Sequence, residues 1–153
     1  MHPCKQSAHS FVSDSNVPEF DTSRILLVMD GNCALCSGAA RWIAKHDRHD
    51  KVRIAPVQSV LGTALMQHYQ LDPADPATWL MIEQGRAYGS LGAILRFGRM
   101  LHPVFLLAQP LGWLPRFVQD WLYARMARNR YSMFGTADLC AMPDPVLQQK
   151  LVS

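Results

Sequence analysis

The stretch Met29-Asp30-Gly31-Asn32-Cys33-Ala34-Leu35-Cys36-Ser37-Gly38 follows the apolar run Ile25-Leu26-Leu27-Val28 and leads into a segment of helical periodicity. Ile25 to Met29 is short, contains β-branched residues and ends at Asp30-Gly31, a turn signal, so it reads as a buried strand. From about Ala34 to Lys45 the residues Leu35, Ala39, Ala40, Ile43 and Ala44 recur at steps of three and four, with Arg41 and Lys45 on the other side. That spacing predicts an amphipathic helix. Two of the chain's four cysteines therefore fall where a strand gives way to a helix.

Downstream, the polar run His46 to Lys51 reads as a surface connection, and Val52 to Val57, interrupted by Pro56, as a second strand. Leu61, Ala64, Leu65 and His68 then recur at helical spacing. After the loop Asp72-Pro73-Ala74-Asp75-Pro76, Thr78 to Ile82 reads as a strand, and Glu83-Gln84-Gly85 as a tight turn into Arg86-Ala87-Tyr88. Ser90 suits the N-cap of a helix carrying Leu91, Ile94, Leu95 and Leu101. The order β-α-β-α-β-β-α, with a parallel first pair, a right-handed crossover and an antiparallel closing hairpin, is that of the thioredoxin fold, an α/β class. A C-terminal helical extension follows from about Leu114 to Arg130, with Phe117, Val118, Trp121, Leu122 and Met126 as an apolar stripe expected to pack on the core. Core packing is also the expectation for Trp42, Trp79, Trp113 and Trp121.

The chain has 153 residues, 49% hydrophobic and 18% charged, enough for one domain with a sizeable core. The expected division is a disordered N-terminal tail over 1–23, a thioredoxin-like domain with its helical extension over 24–142, and a C-terminal tail over 143–153. A net charge of +3 implies no nucleic-acid partner by itself. The most hydrophobic window, Met100 to Tyr123, is broken by Pro103, Pro110 and Pro115 and carries Arg116 and Asp120, which argues against a transmembrane segment and for an interfacial or groove-forming one. No secretory signal is legible at the N-terminus, so the expected compartment is cytoplasmic, where a close cysteine pair is more often catalytic or metal-binding than structural.

Residues three apart on a helix share a face with Cα atoms about 5 Å apart, within disulfide range. Cys33, at the helix start, is the expected nucleophile, because free N–H groups and the helix dipole there stabilise a thiolate. Cys36, one turn further in, is expected to be the more buried thiol, protonated at rest, and to resolve a mixed disulfide on Cys33. Asp30 has two readings: a carboxylate that accepts the Cys36 proton or shifts a thiol pKa, and an Asx-turn residue. Gly31 answers a backbone need, either positive φ or close approach.

Half of a zinc site has the same C-x-x-C spacing. The further ligands on offer are His46, His49 and the distant Cys140. An unbroken helix to His46, about ten residues at roughly 1.5 Å each, places that histidine some 15 Å from Cys36, which excludes the histidine pair. Cys140 is either a third exchanging thiol or a buried structural cysteine, the latter favoured. Cys4 lies in the N-terminal tail and is read as incidental. Arg125, Arg128 and Arg130 form a group that either holds an acidic partner or an anionic thiol such as glutathione, or, the favoured reading, is a solvated face near a helix C-terminus.

Asp30-Gly31-Asn32-Cys33-Ala34-Leu35-Cys36 matches the Asp-x-x-Cys-x-x-Cys pattern of the DCC family of thiol-disulfide oxidoreductases, which this chain resembles over about residues 24–142. Further similarity lies in Tyr88-Gly89-Ser90, in Leu114-Pro115, and in the tail from Tyr123-Ala124-Arg125 through Arg130-Tyr131 and Phe134-Gly135 to Asp138-Leu139-Cys140. The resemblance implies a thioredoxin-like fold and protein-disulfide reductase activity acting on a disulfide-containing protein or a small thiol substrate. No bound cofactor is required, and electrons come from another thiol system. Well-studied thioredoxins place a cis-proline directly before the third strand, whereas here Ala77 separates Pro76 from Thr78, and Pro76 is expected to be trans. The rival reading is a metal-binding or protein-interaction module that docks a partner on the segment from Leu101 to Pro115.

Overall fold

The computed structural model describes residues 15–74 and 79–152. Strand β1 (Ile25–Met29) leads to α1 (Ala34–His46), β2 (Val52–Pro56), α2 (Val60–His68), β3 (Leu80–Glu83), β4 (Arg86–Tyr88) and α3 (Ser90–Leu101). A 3₁₀ segment (Pro103–Trp113), α4 (Arg116–Phe134) and α5 (Pro145–Gln148) follow. The four strands form one sheet in the order β2-β1-β3-β4, β1 parallel to β2 and antiparallel to β3, and β3 antiparallel to β4. This is the thioredoxin-like α/β fold with a C-terminal helical extension. Pro76 and Cys4 lie outside the described residues.

Alternation along β1 divides the core in two. Ile25, Leu27 and Met29 join a cluster with Ala40, Ile43 and Ala44 of α1 and Phe97 of α3. Leu26 and Val28 join the other, with Leu61, Leu65 and Met66 of α2. A strand covered on both faces reads as a continuous apolar run, which is why β1 shows no polar position. The hairpin turns at Gln84 (φ 50°) and Gly85 (φ 77°), the geometry of a two-residue type I′ turn. Pro56 ends β2, an edge strand of the four, where a missing N–H is tolerated.

Most of the expected N-terminal tail, residues 1–14, lies outside the described residues. Val17 and Phe20 pack on the α2-side cluster. Residues 143–152, set apart by the sequence as a tail, are part of the core: Leu147 is fully buried, and the Lys150 ammonium lies 2.7 Å from Asp47 with both side chains buried. The Ile54 N–H donates to the Lys150 carbonyl and the Val152 N–H to the Ile54 carbonyl, so this segment covers the free edge of β2.

The extension departs from the stripe expected of it. Phe117 is 73% and Trp121 61% exposed, Leu122 and Met126 are exposed as well, and Trp113 is 86% exposed. The inward face of α4 is Tyr123, Ala127 and Arg130, spaced four and three apart. Helical period alone cannot say which side of a helix the neighbouring elements meet, and here the larger apolar side chains face out. Trp42 and Trp79 do pack on the core.

Candidate active site

Cys33 is the N-cap residue of α1, in extended conformation, at the carboxyl end of β1. Strand and helix must meet there because β1 is locked between β2 and β3 while Ala40, Ile43 and Ala44 draw α1 onto the sheet. Gly31 makes the turn by close approach: a Cβ there would meet Gln58 Oε1 at 3.0 Å and Pro56 Cβ at 3.3 Å. Cys33 and Cys36 are both free thiols, and Ala34 and Leu35 between them add no charge.

Burial of the two thiols is the reverse of the expectation. Cys33 has 0% exposure and Cys36 is half-buried. The reason is the chain after α4, invisible to a local reading of the C-x-x-C. Gly135, at φ 79°, turns that chain back. Its carbonyl accepts the Ala34 N–H at 3.3 Å, the Ala137 N–H donates to the Asn32 carbonyl at 3.1 Å, and the Leu139 N–H to the Gly31 carbonyl at 2.8 Å. Thr136 and Cys33 thereby form an antiparallel bridge, so this strap runs alongside the buried Cys33.

Beneath the dithiol lies a buried polar cluster. Arg130 Nη2–H donates to Asp30 Oδ2 at 2.6 Å, and the Tyr131 hydroxyl donates to the same oxygen. Asp30 Oδ1 accepts from Gln58 Nε2 at 2.8 Å and from the Asn32 N–H at 2.9 Å. Asp30 makes the Asx-type bond to the Asn32 N–H and also anchors a cation, a role the sequence reading does not give it. Burial by itself raises the Asp30 carboxyl, but the bonds from Tyr131, Asn32 and Gln58 and the charge of Arg130 outweigh it and hold the group below the ordinary carboxylate value.

Arg130, for which the sequence reading favours a solvated face, is buried beside Cys36 instead. It belongs to no solvated face, for only Arg125 and Arg128 of that group are exposed. Its Nη1–H reaches Cys36 Sγ at 3.9 Å. Burial, the neighbouring Cys33 thiol and Asp30 together push the Cys36 thiol up to about 12 against the opposing charge of Arg130, so Cys36 is protonated at rest. The available signal was the Tyr123, Ala127, Arg130 spacing, which puts an arginine on a helix face otherwise shaped for packing.

The other candidates fall away from the dithiol. His46 Nδ1 is bonded to the Trp42 carbonyl at 2.8 Å and its ring stacks on Trp42 at 4.2 Å. Cys140 is exposed, not buried; Leu139 beside it fills the core place. Among the described residues no group of three or more His, Cys, Asp and Glu is arranged to hold a metal ion, and no helix is long and apolar enough to cross a membrane.

Fold and site together define a thioredoxin-like protein with a dithiol at the head of its first helix. A family model described as DCC1-like thiol-disulfide oxidoreductase matches residues 27–136, and the chain belongs to that family. It is 33% identical over 123 residues to a DCC family protein of Arabidopsis thaliana named as chloroplastic, covering 80% of this chain and 72% of the relative. It is 29% identical over 127 residues to the Bacillus subtilis (strain 168) protein YuxK, named as uncharacterized, covering 83% and 93%. No solved structure matches.

Proposed function

We propose that the chain is a thiol-disulfide oxidoreductase of the protein-disulfide reductase type, with Cys33 as nucleophile, Cys36 as resolving thiol and Asp30 as a positioning residue that fixes Arg130 against Cys36. The observation that carries this reading is the guanidinium held 3.9 Å from Cys36 Sγ by a buried carboxylate. A cation at that distance stabilises the thiolate that Cys36 must become when it resolves a mixed disulfide.

Access and ionisation compete in choosing which sulfur attacks first. Cys36, its thiol pushed up to about 12, is held in the protonated form at neutral pH. Freeing Cys33 requires breaking the two strap hydrogen bonds that flank it, each worth about 1 kcal/mol. Ionisation thus limits Cys36 and access limits Cys33, and we take Cys33, at the helix start, as the first attacker. Asp30, held ionised, serves poorly as a base at neutral pH and well as an anchor. Such chemistry suits a reducing compartment such as the cytosol, with electrons delivered by a separate thiol system.

The test is equilibration in glutathione redox buffers, trapping of free thiols with a mass tag and mapping by peptide mass spectrometry. Paired, reversible loss of Cys33 and Cys36 thiols is expected. Failure of these two to bond with each other removes the reading; a stoichiometric metal protecting them from alkylation replaces it with metal binding.

A further inference from the structure

Among the described residues, a cavity of about 470 Å³ lies between α1, α3, the 3₁₀ segment and α4. Leu35, Trp42, Phe97 and Phe105 give it an apolar lining, and Cys36, Arg130 and Trp79 also contribute to its wall. Small-molecule sites typically have a volume of about 300–1,000 Å³, an apolar lining and a few convergent polar groups. Two of the polar side chains in that wall carry an unused donor: among the described residues, Arg130 Nε–H and Trp79 Nε1–H are buried without a hydrogen-bond partner. The Arg130 side chain is only 6% exposed. A buried donor without an acceptor costs about 1–3 kcal/mol, a penalty that a bound carbonyl removes.

Charge narrows the ligand further. The Arg130 cation is already offset by Asp30, so an anion entering this cavity would be buried without a counter-charge. Glutathione disulfide, with its several carboxylates and ammonium groups, fits such a lining badly.

We propose that this cavity binds a compact, uncharged, largely apolar molecule carrying a carbonyl-type acceptor, and that disulfides of this class are the substrates of the Cys33–Cys36 pair. The second half rests on the exchange function proposed above. The apolar body occupies the cavity against Cys36, one helical turn from Cys33. Once the 135–139 strap opens, the Cys33 thiolate attacks the substrate S–S bond at the cavity's edge, releasing one half as a thiolate that takes up a proton. Cys36 then attacks Cys33 Sγ, its own proton passing to the second departing thiolate. The protein dithiol is oxidised to a disulfide and the substrate is reduced to two thiols.

The first arm of the test uses N-butylbenzamide, uncharged and free of sulfur, titrated into the reduced full-length chain by calorimetry. Saturable binding is expected. Ala127→Phe, which fills the cavity from α4, weakens it roughly tenfold or more. Ala39→Leu, on α1, serves the same purpose should Ala127→Phe fail to fold. Trp79→Phe keeps the packing and removes one donor, weakening binding about fivefold. 4-Butylbenzoate, the anionic counterpart, binds roughly tenfold more weakly. No saturable binding, or binding that the filled variants leave unchanged, overturns the proposal.

The second arm measures single-turnover oxidation of the dithiol by bis(2-benzamidoethyl) disulfide and by glutathione disulfide. The benzamide compound is expected to react roughly tenfold faster and to be slowed by N-butylbenzamide. Equal rates overturn the substrate class. Binding of N-butylbenzamide with no oxidation by either disulfide upholds the cavity as a site and overturns both the substrate half and the exchange function.

Discussion

Arg130 and Asp30, a hundred positions apart in sequence, form an ion pair of 2.6 Å with side chains 6% and 7% exposed. The pair joins α4 to the end of β1 directly under the dithiol. Removing one partner of such a pair strands a buried charge, at about 3–5 kcal/mol. Arg130→Met is therefore expected to lower the urea midpoint markedly, and Asp30→Leu in the same chain to restore much of the loss. A single variant within about 1 kcal/mol of wild type contradicts the burial seen here.

The same carboxyl sets an acid limit. Its pKa is depressed in the folded chain, so its contribution is fully present above the unfolded-state value of about 4 and disappears as pH falls through the lower folded-state value. Asp30→Asn has no such titration. The stability gap between wild type and Asp30→Asn should be flat from about pH 5 to 8 and narrow below about pH 4, read from urea unfolding at each pH.

Labelling order separates the three described thiols. Cys140, exposed, should alkylate first in the native chain, Cys33 next as the strap opens, and Cys36 last because its thiol stays protonated. Arg130→Met should slow Cys36 further. Peptide-resolved alkylation at pH 8 against time gives the order, and Cys36 ahead of Cys33 contradicts the assigned roles.

The strap has its own handle in Gly135, at φ 79°. With ψ −167° this conformation is essentially confined to glycine, and a side chain there costs about 1–3 kcal/mol. Gly135→Val should loosen the strap and raise the Cys33 alkylation rate severalfold while leaving Cys140 unchanged.

The C-terminal segment offers a stability test. Ending the chain after Met142 removes fully buried Leu147, worth about 2 kcal/mol, and strands Asp47 without Lys150. A loss of several kcal/mol is expected. A tail-like segment would give a change near zero, and denaturant unfolding of the two chains distinguishes these.

Much of the fold was legible because its signals are local. The β1 run, the Asp30-Gly31 turn, the period of α1 and the Gln84-Gly85 hairpin each lie within a few residues. The site was legible only as far as the C-x-x-C. What buries Cys33 is the chain at 135–139, and what charges the neighbourhood of Cys36 is Arg130, both set by contacts about a hundred residues away. In α4 the apolar letters misled for a related reason: Phe117 and Trp121 are large but outward, and the inward face uses Ala127 and Arg130.

The strap also bears on oxidative damage. A thiolate climbs from sulfenic to sulfinic acid when small peroxides reach it, and that second step is generally irreversible. With no surface of Cys33 open and Thr136 bridged to its backbone, an oxidant reaches the sulfur only when the surrounding chain, the strap included, gives way. On the proposed mechanism the strap therefore selects reagents by their ability to lift a piece of backbone rather than by oxidising strength, and keeps the nucleophile in its recoverable thiol form between turnovers.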